Sequence, residues 1–286
     1  MGYARGAASI ALALAGVGVG CSLLEGERSV DAGDPDAAAD VQVRDAAGDV
    51  DEASSDAGAD GNDGAPPNCP KDAAGPVMVG VRDFCIDSTE ITNEQYEAFR
   101  AATQDAGKAL PARCLWNADL AAQAWTPAQA ARPAAVDFCD AYMYCSWANK
   151  HLCGGPKGAA LAGSGVSVAS QDLWFAACTG GGQTIYPYGN NYDSTICAGD
   201  NKKVGAPVDA GSLPQCVGGV NGLYDMSGNV SEWIDSCAGI AATDQCIAHG
   251  GDFGSPPPEL QCDAGKKYPA NAKDVFRGFR CCMDPQ

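Results

Sequence analysis

The stretch Gly222-Leu-Tyr-Asp-Met-Ser-Gly-Asn-Val-Ser-Glu-Trp233 sets Gly, Asp, Ser, Gly, Asn and Glu between Leu223, Tyr224 and Trp233. Two glycines and an Asn in ten residues oppose a helix. Asp, Gly and Asn oppose a strand through its middle. The composition reads as an oxygen-rich turn held between large apolar anchors.

Around this turn the chain has an uneven charge. It has 286 residues, enough for one large domain or two small ones, and a formal charge of −18. That balance argues against nucleic acid or an anionic membrane surface as partner. Residues 22–68 hold ten Asp and three Glu against Arg28 and Arg44, with no aromatic residue. Such a segment cannot bury enough apolar surface to offset its chain entropy, so it is expected to be a disordered, self-repelling tether.

Before the tether, Arg5 precedes an apolar and small-residue run from Ala7 to Val19, too short to span a bilayer comfortably. The run ends at Gly20-Cys21, which resembles a bacterial lipoprotein cleavage site. Lipidation of Cys21 is the favoured reading, with plain signal-peptidase cleavage and an uncleaved anchor as alternatives. The expected organisation is a signal peptide over 1–21, an acidic tether over 22–68 and one domain over 69–286. The expected location is the cell envelope, as an exported lipoprotein of the outer membrane, or else periplasmic or secreted.

Cysteine usage points the same way. Of 15 Cys, 14 follow the tether, an even number that suits an oxidising compartment. No Cys-x-x-Cys pair occurs and only His151 and His249 are present, so zinc is disfavoured.

Within the domain, Pro76–Asp87 alternates like one strand. Ser88–Thr103 has a Ser/Thr start with Glu close behind, then Tyr96 and Phe99 at helical spacing. Val136–Leu152 places Phe138, Ala141, Tyr142 and Cys145 on a helix ending near Asn149. Ser170–Cys178 reads as a short helix with a Ser cap. Short strands are expected around Ala248–Phe253 and Arg277–Cys282. The fold class is therefore α+β, irregular and loop-rich, stapled by disulfides.

Six segments then converge in order: Phe84–Phe99, Val136–Leu152, Tyr186-Pro-Tyr-Gly-Asn190, Asn221–Trp233, His249–Phe253 and Arg277–Cys282. Together they resemble the formylglycine-generating enzyme family, also called the sulfatase-modifying-factor domain, over about 75–282. The resemblance implies a C-type-lectin-like fold. It also marks residues 154–170 as an insertion.

The resemblance implies the disulfides Cys145–Cys281 and Cys178–Cys262. Spacing suggests Cys69–Cys85, Cys114–Cys139, Cys153–Cys282, Cys197–Cys216 and Cys237–Cys246 for the rest. The family's oxidases bind Cu(I) through two cysteines, as suits soft thiolates, and oxidise a substrate cysteine with O₂. Their positions fall here on Ser255 and Leu260, neither a thiol. Copper is thus not expected, and no catalytic residue is assigned. Related iron enzymes need a His cluster that two His cannot make; both His are read as packing or structural.

The resemblance also implies structural Ca²⁺ in the opening turn, with side-chain oxygens from Asp225 and Glu232 and carbonyls from Gly228 and Val230. Calcium takes six to eight hard oxygens and accepts carbonyls as readily as carboxylates. The competing reading has Asp225 capping the turn, Gly228 and Asn229 at positive φ, and Glu232 bonded to backbone. The expected function is a surface-anchored binding or interaction module with a protein or glycan ligand, touching the membrane only through its lipid. The alternative is a diverged oxidase acting on a peptide cysteine or another small substrate.

Overall fold

The computed structural model describes residues 67–103 and 110–285. The expected signal peptide, Cys21 and almost all of the tether lie outside the described residues. Among the described residues no helix is long and apolar enough to cross a membrane.

The alternating segment from Pro76 is two strands, not one. β1 (Met78–Val81) and β2 (Phe84–Asp87) form an antiparallel hairpin with Val81 opposite Phe84. Arg82 turns the chain at φ 50°, a conformation that alternation of apolar residues cannot announce. α1 (Asn93–Thr103) follows. Its start is closed by Thr92 and Gln95, whose side chains bond each other's backbone N–H, so the capping partner is Gln and not Glu.

α2 (Phe138–Trp147) starts on a capping box built from Asp137 and Asp140. Asn149, at φ 56°, ends it where expected. α3 (Leu173–Cys178) is capped by Asp172, which accepts from the Phe175 N–H; the expected Ser cap is replaced by the carboxylate two residues on. Between the last two helices lies β3 (His151–Leu152).

The remaining strands are β4 (Val217–Gly218), β5 (Val220–Tyr224), β6 (Ser231–Cys237), β7 (Gln245–His249), β8 (Lys266–Pro269), β9 (Arg277–Phe279) and β10 (Cys281–Met283). One sheet runs β1-β2-β10-β3, a second pairs β4 with β5, and a third runs β8-β7-β6-β9. The β6–β9 pair is parallel and sets Glu232 opposite Gly278. The strand expected through Ala248–Phe253 stops at His249, because Gly250 and Gly251 both take positive φ. The opening stretch is therefore the end of β5, a turn over residues 225–230, and the start of β6.

Two buried clusters hold these layers together. One gathers Tyr96, Phe99, Phe138, Tyr144, Trp233 and Phe279 between the first two helices and β6 and β9. The other gathers Phe84, Ile86, Leu173, Trp174, Leu223 and Ile234. Trp233 is fully buried and donates from Nε1 to the Val136 carbonyl at 3.0 Å. An indole in the core is tolerated because its N–H finds an acceptor.

Seven disulfides staple the loops, with the partners set out above: Cys69–Cys85, Cys114–Cys139, Cys145–Cys281, Cys153–Cys282, Cys178–Cys262, Cys197–Cys216 and Cys237–Cys246. Three of them close long loops, with separations of 136, 129 and 84 residues, which constrains an unfolded chain most. So many bridges suggest an oxidising, extracytoplasmic environment.

Candidate functional site

The turn after β5 is shaped by three left-handed residues, Asp225 at φ 57°, Gly228 at φ 77° and Asn229 at φ 61°. Gly228 has a second reason to be glycine: a Cβ there would lie 2.1 Å from the Ala198 carbonyl oxygen. Asn229 pays for its strained backbone with three bonds, from its N–H to Ala198 O, from Nδ2 to Glu90 Oε1 at 2.9 Å, and from the Val208 N–H to its Oδ1.

The four residues expected around calcium divide into two groups. Asp225 is 1% exposed; its Oδ2 accepts from the Gly211 N–H, while its Oδ1 has no partner. Glu232 is used up. Its Oε2 accepts from Trp174 Nε1 and Arg280 Nε, each at 2.7 Å, and its Oε1 accepts from Arg280 Nη2 at 2.7 Å. The guanidinium grips the carboxylate with a two-pronged bond and then spends its other donors on the Asp87 and Tyr224 carbonyls. Glu232 therefore bonds neither backbone nor any free space. Gly228 and Val230 lie in the same turn, Gly228 donating its N–H to the Gly250 carbonyl.

Sequence reasoning missed two residues here, Glu90 and Arg280. Glu90 is fully buried and its Oε2 has no partner. Burial first, then the charges of Asp225 and Glu232, holds its carboxyl well above the usual range, against the opposing pull of Arg280. Burial likewise pushes Asp225 up to about 6. Arg280 is pulled down by burial but held above its ordinary value by Glu232. The signal for both residues was present in the segments Phe84–Phe99 and Arg277–Cys282, which were read for fold and for cysteines rather than for charge.

The positions expected for the copper ligands are filled. Ser255 is 2% exposed, and its Oγ accepts from the Asp252 N–H at 3.1 Å. Leu260 is 1% exposed and closes a 3₁₀ turn over Pro257–Leu260. Nearby Cys262 is bridged to Cys178. Copper(I) wants soft sulfur, and a hydroxyl and an isobutyl group supply none, so these residues do not fit the ion.

Beside this loop stands an aromatic cluster. The rings of Tyr186 and Tyr188 stack at 5.5 Å, and Tyr192 lies 5.8 Å from Tyr186. The Tyr186 hydroxyl donates to the Pro257 carbonyl at 3.2 Å, fixing the cluster to the loop. Phe253 stacks on the exposed Phe276 at 5.0 Å.

Neither His sits among ligands. His249 is fully buried, stacked on Trp174 at 4.9 Å, with Nε2 3.2 Å from Asp172 Oδ2. His151 is half-buried, its Nδ1 3.2 Å from the Leu152 carbonyl. Among the described residues, no three His, Cys, Asp or Glu side chains cluster so as to hold a metal by themselves.

Comparison with known proteins agrees with this architecture. A family model described as "Sulfatase-modifying factor enzyme 1-like domain" matches residues 38–285. The match begins inside the acidic segment, ahead of Cys69. The crystal structure of CarF is 17% identical, with a TM-score of 0.48, over 73% of this chain and 89% of that one. The structure of PvdO from Pseudomonas aeruginosa is 19% identical, with a TM-score of 0.48, over 77% and 90%. Treponema denticola variable protein 1 is 16% identical, with a TM-score of 0.47, over 77% and 92%. No curated protein matches the sequence.

Proposed function

This chain belongs to the sulfatase-modifying factor enzyme 1-like domain family, and we propose that within it the protein is an exported, lipid-anchored binding module without copper oxidase chemistry. One observation carries the reading. Where the family's oxidases place two copper-binding thiols, this chain has Ser255 and Leu260, both buried and both engaged in packing or hydrogen bonding. An oxidase of this class needs an open, soft two-sulfur site, and every described cysteine is committed to a disulfide.

What remains suits recognition. Loops carried on a rigid, cross-linked scaffold are where binding surfaces are built. The half-buried Tyr188 and Tyr192, set against the buried Tyr186, and the Phe253–Phe276 pair offer rigid rings at low entropic cost for protein or glycan recognition. The acidic segment would hold such a module away from the bilayer, with Cys21 as the lipid attachment point and the outer membrane as its site.

The test has two arms. The chain is loaded with Cu(I) and incubated with O₂ and a cysteine-containing peptide while oxygen uptake and peptide aldehyde are measured. Uptake no faster than the buffer blank is expected; turnover would overturn the reading in favour of a diverged oxidase. In the second arm, Cys21→Ser is expected to move the protein from the membrane fraction to the soluble one. Unchanged membrane association would exclude lipidation at that residue.

A further inference from the structure

Lys150 and Asp87 meet where water is excluded. Lys150, just past the end of α2, donates from Nζ to Asp87 Oδ1 at 2.5 Å, and both side chains are fully buried. Nζ is also held by the Ala74 carbonyl at 2.7 Å. The other carboxylate oxygen, Asp87 Oδ2, accepts from the Cys281 N–H at 2.9 Å. The placing is rigid. Lys150 bonds its backbone N–H to the Cys145 carbonyl, and the Cys145–Cys281 bridge pins that end of α2 to β10, the strand beside β2.

Two charges taken out of water in this way are costly, and their attraction repays the cost only in part. Burial lifts the Asp87 carboxyl to about 6, against the pull of Lys150. Transfer of one proton from Nζ to Oδ1 leaves a neutral amine touching a neutral acid, which are the two reactants of amide formation. Fixed proximity replaces the encounter that such a reaction needs in solution. The Cys281 N–H faces Oδ2, where negative charge would develop as the carbonyl carbon is attacked. A space adjoins the amine at Gly75, where a Cβ would stand 3.5 Å from Lys150 Nζ and 3.1 Å from the Tyr144 hydroxyl. That hydroxyl is buried and without a hydrogen-bond partner among the described residues, so it is free to bond a water there.

We propose that Lys150 and Asp87 condense into an intramolecular isopeptide bond that joins the end of α2 to β2. The Nζ lone pair attacks Asp87 Cγ. The Nζ–Cγ bond forms, the Cγ–Oδ1 bond breaks, and Oδ1 leaves as water with two of the three protons that began on Nζ. No oxidant, reductant or cofactor is consumed. The product is a neutral amide, so the step removes both buried charges. The cross-link spans 63 residues and, unlike the seven disulfides, is not opened by reduction. It stands independently of what the domain binds.

The full chain is unfolded, reduced, alkylated and digested with trypsin, and the peptide masses are measured. The expected result is a branched peptide joining Asp87 to Lys150, one water lighter than its two parts, with no cleavage after Lys150. Asp87→Asn is expected to yield a branched peptide of the same mass, because ammonia then leaves in place of water. Lys150→Arg, which keeps the positive charge, should yield only linear peptides. Linear peptides alone from the unaltered chain, with cleavage after Lys150, would overturn the proposal and leave an ordinary buried ion pair. A branched Asp87 peptide persisting in Lys150→Arg would overturn it too, since the bond would then lie elsewhere.

Discussion

Acidification should stabilise this protein, against the usual trend. The perturbation is a change from pH 7.5 to pH 5. Asp225 is 1% exposed, and burial, opposed by the Gly211 N–H and Arg280, raises its carboxyl from 3.8 to about 6. Glu90, beside it, moves in the same direction. A carboxyl whose folded pKa lies above its unfolded value binds protons more tightly in the native state. Its contribution to stability is complete below about pH 4 and is lost as pH rises through about 6. For Asp225 the full span is about 3 kcal/mol, of which roughly 1–2 kcal/mol falls between pH 5 and 7.5. With a urea slope of about 2 kcal/mol/M, this one group moves the unfolding midpoint by about 0.5–1 M, and Glu90 adds to it. Urea unfolding at constant ionic strength, followed by tryptophan fluorescence, is the assay. The midpoint should rise on acidification, and Asp225→Asn should flatten the response. A midpoint that falls between pH 7.5 and 5 would refute the reasoning, since these acids would then be better ionised in the fold than out of it.

Other expectations rest on packing and covalent links. Gly228→Ala should destabilise the domain by about 2 kcal/mol or more, through a Cβ 2.1 Å from the Ala198 carbonyl and a left-handed φ; thermal melting reads it, and a neutral result would mean the turn yields freely. Removing one long bridge with the pair Cys145→Ala and Cys281→Ala should cost about 2–5 kcal/mol, seen as a lowered denaturant midpoint under oxidising conditions. Trp233→Ala should cost about 3–5 kcal/mol because the indole is fully buried in the larger cluster, whereas Trp233→Phe should cost about 1–3 kcal/mol, chiefly from leaving the Val136 carbonyl unpaired.

Much of this molecule is written locally. Turn residues and apolar anchors located the signature turn, and its positive-φ positions at Gly228 and Asn229 follow from side-chain sterics alone. The periodicity of Phe138–Trp147 placed α2, with its end at Asn149. Six short motifs in order identified the family. Local signals misled where a tight turn interrupted an alternating run, at Arg82, and where the earlier of two capping residues was not the one used, Asp172 capping the helix in place of Ser170. In each case several residues satisfied the same local rule, and the choice was made by what the backbone then had to pack against.

The partners of the charges were decided by tertiary structure alone. Glu90 meets Asn229 across 139 residues, and Arg280 meets the Asp87 carbonyl across 193. Sequence spacing has no term for such distances; only the placing of β10 between β2 and β3, and of β9 beside β6, brings these groups together. The amino-acid order thus determined that a turn rich in oxygen would lie between Tyr224 and Trp233. The fold determined which oxygens there are already bonded, because an ion pair forms wherever the packed chain leaves an arginine within reach of a carboxylate.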